Sequence, residues 1–176
     1  VASVAERGGL DVLINNAGMV HVAPFLESDT DKLSATIDVN LKSIMWTCKA
    51  YLGSMVERNQ GHIVNVASAS GYLGVPLMPS YTASKWGVIG LTDSLRLEVE
   101  AMGATGIHWT LFCPSFVSTG MFAGAKAPLL TPFLDPEEAV DIAYRGFKKN
   151  KYLVRAPTMV KLTPALRGVL PQRAFD

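Results

Sequence analysis

Along the chain, short apolar runs alternate with longer stretches in which apolar residues recur every three or four positions. Leu10, Asp11, Val12, Leu13, Ile14 and Asn15 form an apolar run that ends in the turn cluster Asn16 to Gly18, the pattern of a buried parallel strand. From Asp29 to Arg58, Leu33, Ile37, Leu41, Ile44, Cys48 and Leu52 mark one face of a long amphipathic helix that Gly61 is expected to close. His62 to Ala67 reads as a second strand, followed by a small-residue loop from Ser68 to Gly74. Ser80 to Met102 is helical by pattern, with Trp86, Ile89, Leu95 and Val99 apolar and Gly103 and Gly106 at its end. Ile107 to Cys113 predicts a third strand stopped by Pro114. After an aperiodic segment, Ser115 to Asp135, come a helix over Pro136 to Lys148 and a last strand over Tyr152 to Arg155. Thr163 and Pro164 suit the cap and first turn of a final helix whose apolar face is Leu166, Val169 and Leu170.

Strands and helices that alternate with short connections imply a Rossmann-like, doubly wound α/β fold with a parallel sheet. Ligands in such folds bind outside the carboxyl ends of the strands. Asn15 to Gly18, Ser68 to Gly71 and Pro114 to Thr119 each follow a predicted strand end, so three strands deliver residues to one rim.

Composition narrows the function. At 176 residues with 49% hydrophobic and 9% aromatic residues, the chain has material for one packed domain, read as residues 1–155, followed by a tail, 156–176. Residues 148–176 hold seven Lys and Arg against Asp176 alone, which suits either a solvated rim or peripheral contact with an anionic membrane surface. Those basic residues are not interleaved with stacking aromatics, and no nucleic-acid partner is expected. Cys48 and Cys113 sit in apolar segments and read as small buried hydrophobes. No His, Asp, Glu or Cys spacing suggests a metal. No apolar run approaches the roughly 18 residues of a membrane span. Val1 to Arg7 reads as the last turns of a helix closed by Gly8 and Gly9, without an initiator methionine, so the chain is read as a fragment.

The candidate chemistry lies in Tyr81 and Lys85, four residues apart, with Ser68 thirteen residues upstream. A phenol with an ammonium one turn away and a hydroxyl near both can move a proton at an alcohol or a carbonyl. A free tyrosine titrates near 10, so a base at neutral pH needs neighbouring positive charge, which Lys85 is expected to supply. Spacing alone carries little, because Tyr144 and Lys148 repeat it and read as a solvated helix end. Asn40 interrupts the apolar stripe of its helix, and must find partners there or cost about 1–3 kcal/mol.

Taken together, Asn15-Asn16-Ala17-Gly18, Asn40, Ser68, Tyr81 with Lys85, and Pro114, Val117 and Thr119 resemble the short-chain dehydrogenase/reductase (SDR) family, in order and spacing, from Leu10 to about Thr119. The resemblance implies an NAD(P)-dependent oxidoreductase in which Tyr81 is the acid/base, Ser68 holds the substrate oxygen, Asn40 holds a water beside the lysine, and Lys85 also binds the nicotinamide ribose. Asn16, Ala17, Gly18, Tyr81, Lys85, Val117 and Thr119 are implied in binding NAD or NADP. It also implies a sheet ordered 3-2-1-4-5-6-7 whose first strands and glycine-rich turn would lie upstream of Val1, leaving Leu10 to Asn15 as an exposed edge and the isolated fragment inactive. Ser115 departs from the glycine usual after the proline. His21, His62 and His108 are not needed by this scheme.

The apolar residues Phe122, Ala123, Leu129, Leu130 and Phe133 in a substrate loop over Met121 to Leu134 point to a lipophilic alcohol or ketone, of steroid, retinoid or long-chain type. A homo-oligomer built through the two long helices, in a cytoplasmic enzyme with membrane contact through its tail, completes the expectation. The alternatives are a noncatalytic cofactor-binding regulator and an inactive truncated partner module on the same scaffold.

Overall fold

Four parallel strands run side by side in chain order in the computed structural model, which describes residues 9–122 and 133–171 together with Val4, Glu6 and Arg173. They are β1 (Val12–Asn15), β2 (Gly61–Val66), β3 (Ile107–Pro114) and β4 (Leu153–Ala156). Asn15 stands opposite Asn65, Val66 opposite Phe112 and Pro114 opposite Ala156. Parallel pairing requires crossovers, and helices supply them. α1 (Thr30–Ile37) passes through a π-helical turn, Asp38–Lys42, into α2 (Ser43–Arg58); α3 (Pro79–Ala101), α4 (Pro136–Lys148) and α5 (Thr158–Val169) follow. The expected helix over Val1 to Arg7, apart from Val4 and Glu6, and the middle of the substrate loop, with Ala123, Leu129 and Leu130, lie outside the described residues.

Local chemistry sets the helix ends. Asp29 and Asp135 cap α1 and α4 by accepting from the amides of Asp31 and Glu137, each at 2.8 Å. α2 ends at Asn59 rather than at Gly61: Asn59 takes the left-handed conformation, φ 46°, and its Oδ1 accepts from Gly106 N at 2.8 Å. Gly61 is thereby free to open β2.

One face of the sheet buries Leu13, Ile63, Trp109 and Leu111 against Ile44, Cys48 and Met55 of α2 and Val88 and Val99 of α3. The other face is covered at its β3–β4 end, where Phe112, Val154 and Ala156 pack with Leu134 and Ala139. On β1 this second face stays open, with Ile14 63% exposed. Among the described residues β1 pairs only with β2 and forms an edge.

The final helix differs from expectation. It begins at Thr158, after Pro157, and Pro164 lies inside it rather than in its first turn. The basic tail is also not one patch. Lys148, Lys149 and Lys151 precede β4 and α5 follows it, so they sit at opposite ends of the sheet. Two cations of the tail are engaged with the body: the Arg167 guanidinium lies 4.2 Å over the Trp86 ring and donates to Tyr72 O at 2.7 Å, and Arg155 lies 5.8 Å over Tyr72.

Candidate active site

The carboxyl end of β2 turns directly into the site. Ser68 caps a single 3-10 turn, Ala69–Gly71, its Oγ accepting from Ser70 N at 3.2 Å and reaching Pro114 O at 3.5 Å. Gly71 allows this turn to lie on α3: a Cβ there would sit 2.4 Å from Ile89 Cδ1 and 2.9 Å from Lys85 O. α3 starts at Pro79, whose missing amide proton costs a first helical turn nothing. Its first turns bury Tyr81 and Lys85, 6% and 4% exposed. Lys85 Nζ donates to Val66 O at 2.9 Å and stands 5.7 Å from the Tyr81 ring centroid.

Asn40 is completely buried in the π-helical turn. Its side chain accepts from Met19 N at 2.8 Å and donates to Met19 O at 2.9 Å and Ser84 Oγ at 3.0 Å. It thus pins the loop after β1 to the residue before Lys85, and an ideal Cβ on Gly18 would lie 3.8 Å from Lys85 Nζ. Asn15, first of the turn residues, points into the protein. It accepts from Thr47 Oγ1 at 2.7 Å and donates to Asn65 Oδ1 at 2.8 Å, and Asn65 donates to Thr92 Oγ1 at 2.9 Å. This buried polar line stitches α2, β1, β2 and α3 together. Asn65 and Thr92 escape sequence reasoning, although a polar residue inside an apolar strand run is the signal that finds Asn65.

Burial dominates the electrostatics. It pushes the Lys85 ammonium down to about 8, and it raises the Tyr81 phenol above its usual value, opposed by the hydroxyls of Ser68 and Ser70. Lys85 Nζ bonds the β2 backbone at Val66 O and stays within 5.7 Å of the Tyr81 ring centroid. Cys113, at the end of β3, is raised to about 11 by burial and meets Tyr72 Oη at 3.6 Å.

Ser68, Ser70 and Tyr81 line a cavity of about 280 Å³ whose other walls are mainly apolar, with Phe116, Phe122 and Val160 among them. Phe122 meets the Tyr81 ring edge-on at 6.0 Å, Phe116 meets Phe122 at 5.0 Å, and Phe133 lies 5.5 Å from Phe116. Ser115 and Thr163 also face this cavity. Val160 and Thr163 were not legible as site residues, because only the fold brings α5 under the rim; Phe116 lies in the Pro114 to Thr119 segment read as reaching the rim, but was not singled out. Val117 packs into the second core and bridges to Leu134, Thr119 is exposed, and Asn16 and Ala17 are exposed at the end of β1. His62 bonds Thr110 and meets the Phe147 ring, tilted by 45°, at 4.4 Å away from the rim. Among the described residues, no three His, Cys, Asp or Glu side chains gather as a metal site would need.

The model of a family described as short chain dehydrogenase matches residues 1–129. The chain belongs to that family. Estradiol 17-beta-dehydrogenase 11 of Rattus norvegicus is 36% identical over 171 residues, covering 97% of this chain and 57% of the relative. Epidermal retinol dehydrogenase 2 of Mus musculus is 37% identical over 168 residues, 94% of this chain and 54% of the relative. The chain therefore spans a little over half the length of these relatives. A solved short-chain dehydrogenase from Sphingobium yanoikuyae in complex with NADPH matches 97% of this chain and 71% of its own, at 26% identity and a TM-score of 0.77. For a dinucleotide of this kind, the donor chemistry fits at Lys85: a buried ammonium with three protons and, among the described residues, one acceptor for them, Val66 O.

Proposed function

We propose that the protein is an NAD(P)-dependent oxidoreductase that interconverts a lipophilic alcohol and its ketone or aldehyde. The observation that carries this reading is the meeting of Ser68 and Tyr81 at a mainly apolar cavity on the carboxyl rim of the sheet, with the buried Lys85 ammonium 5.7 Å from the Tyr81 ring centroid. Tyr81 gives its proton to the substrate oxygen in reduction and takes it back in oxidation. Ser68 holds that oxygen and steadies the charge that grows on it. Lys85 donates to ribose hydroxyls of the dinucleotide, beside Gly18, with Asn40 keeping the two together; Asn16, Ala17, Val117 and Thr119 complete its binding surface. When bound, the nicotinamide supplies or accepts the hydride. The lipophilic substrate is supported by Phe116, Phe122 and Val160 in the cavity wall, and by relatives whose names are those of estradiol and retinol dehydrogenases.

Residues 1–155 form the catalytic part, and residues 156–176 the tail that closes the cavity from below through Val160 and Thr163. Oligomers form through the outer faces of α2 and α3, where Trp46, Trp86 and Leu97 are 68%, 40% and 55% exposed. The tail touches anionic membranes peripherally through α5, which carries Lys161 and exposed Leu162, Leu166 and Val169 and has no acidic residue. No helix among the described residues is long and apolar enough to cross a membrane. The 176-residue chain on its own is inactive, having no glycine-rich phosphate turn in its sequence and an open β1 edge.

Tyr81→Phe in the protein carrying its dinucleotide-binding half tests the reading: turnover disappears and dinucleotide binding persists. Retained turnover removes the phenol from the mechanism. Tight dinucleotide binding by the isolated chain refutes its inactivity, and equal liposome flotation with and without residues 156–176 refutes the membrane contact.

A further inference from the structure

The inner face of α5 repeats every three or four residues: Val160 is buried, Thr163 and Arg167 are half-buried, and Lys161, Leu162 and Leu166 between them are exposed. Val160 and Thr163 line the cavity with Ser68 and Tyr81, and Arg167, one turn further, reaches the body of the protein. Its guanidinium lies 4.2 Å over the Trp86 ring of α3 and donates to Tyr72 O at 2.7 Å. Tyr72 closes the 3-10 turn that Ser68 opens, its amide donating to Ala69 O at 3.0 Å. Trp86 Nε1 in turn reaches Leu73 O at 3.5 Å, and Leu73 is a further cavity residue. One side chain thus joins the floor of the cavity to its wall and to the turn that carries Ser68.

Little else holds this end of the helix. Buried Val160 and the bond from Arg155 to Lys161 O, at 3.1 Å, anchor the first half of α5. Pro164 has no amide proton to give Val160 O, so the helical ladder is interrupted between the two halves. Beyond Pro164, among the described residues, Arg167 makes the one hydrogen bond from α5 to a distant part of the chain. A guanidinium stacked on a ring while bonding a carbonyl is a geometry that a lysine does not reproduce.

We propose that Arg167 is a specificity-determining positioning residue: it clamps α5 against Trp86 and Tyr72 O, so that Val160 and Thr163 stand as a fixed floor for the apolar part of the alcohol or ketone. It acts through Val160 and takes no part in proton transfer at Tyr81. A fixed floor favours a substrate whose carbon chain is long enough to meet it and does nothing for one that ends short. The proposal rests on the reading of this cavity as the substrate site.

The test takes the complete enzyme and its Arg167→Ala and Arg167→Lys variants through a series of straight-chain secondary alcohols, from isopropanol to secondary decanol. In the parent, kcat/KM climbs along the series. In Arg167→Ala it falls about tenfold at the long end through KM, the order of a lost apolar pocket contact, while kcat and the isopropanol value stay within about twofold. Arg167→Lys keeps the charge without the flat stacking face and falls between the two. Val160→Ala flattens the series in the same way, and adding Arg167→Ala to it lowers the long-chain value no further, because the two act on one contact. Hydrogen exchange, which needs no turnover, quickens after Pro164 in Arg167→Ala and is unchanged in α3. A loss equal at every chain length, losses that add to those of Val160→Ala, or exchange in α5 that does not move overturns the proposal. Turnover retained in Tyr81→Phe, or a parent indifferent to chain length, is a different failure, that of the reading of the cavity on which the proposal stands.

Discussion

Two helices of this protein carry a tyrosine and a lysine four residues apart, and their environments are opposite. On α3, Tyr81 and Lys85 are 6% and 4% exposed, beneath the Ser68 turn and beside Asn40. On α4, Tyr144 is 57% exposed and stacks on Phe147 at 6.2 Å, and Lys148 is exposed at the helix end. α3 is covered by α2, by the turn after β2 and by the loop that Asn40 pins, whereas α4 rests one face on β3 and β4 and shows the other to solvent. Desolvation is what separates the two pairs. It brings an ammonium down to about 8 and sets a phenol above its ordinary value next to two hydroxyls.

The contrast breaks most sharply in activity. In the complete enzyme, Tyr81→Phe lowers kcat/KM by about 10³-fold, the range of lost general acid–base catalysis, while Tyr144→Phe leaves it within experimental error. Steady-state kinetics of both variants decides, and equal losses would erase the distinction. Lys85→Met follows, with about 10²-fold lower kcat/KM and a raised KM for the dinucleotide, whereas Lys148→Met changes neither.

Smaller effects sharpen the account of what shields the first pair. Gly71→Ala forces a Cβ onto Ile89 and Lys85 O and lowers stability by about 1–3 kcal/mol, measured by urea unfolding. Asn40→Ala orphans the Met19 amide and lowers stability by about 2 kcal/mol, with hydrogen exchange accelerated in residues 16–20. A further effect, read as a slope with pH, lies beside α4. Burial lowers His62 from 6.5 to about 4, with a further push from His108, so the unfolded chain binds more protons than the folded one between those values. Stability therefore falls as pH drops from about 6.5 to about 4, and His62→Phe flattens that slope in unfolding titrations.

Most elements were legible in the sequence because hydrophobic periodicity and the glycine and proline breaks agree with one another. β1, β2, β3, α3 and α4 start and stop within two residues of their expected limits. What was missed has local causes. Asn59 ends α2 because asparagine tolerates the left-handed region, and no periodicity reveals a π-helical turn such as Asp38–Lys42. Pro164 suggested a helix start, but the chain was already turned into α5 by Pro157. Asn15 looked like part of a cofactor turn, and its side chain serves the buried line to Asn65 and Thr92. The tail read as one basic patch because sequence proximity hides the strand that separates Lys151 from Lys161.

By itself, the sequence determined the alternation of strand and helix, the rim to which three strand ends lead, and the residue types able to move a proton. These depend on local pattern and spacing, which a linear chain records. Only the tertiary structure decided which of two identical tyrosine–lysine spacings is desolvated, that Lys85 bonds the β2 backbone, that α5 floors the cavity, and that Ser68, Ser70 and Tyr81 line it together. Those properties arise from contacts between distant segments, and burial sets the protonation of a side chain through everything packed around it.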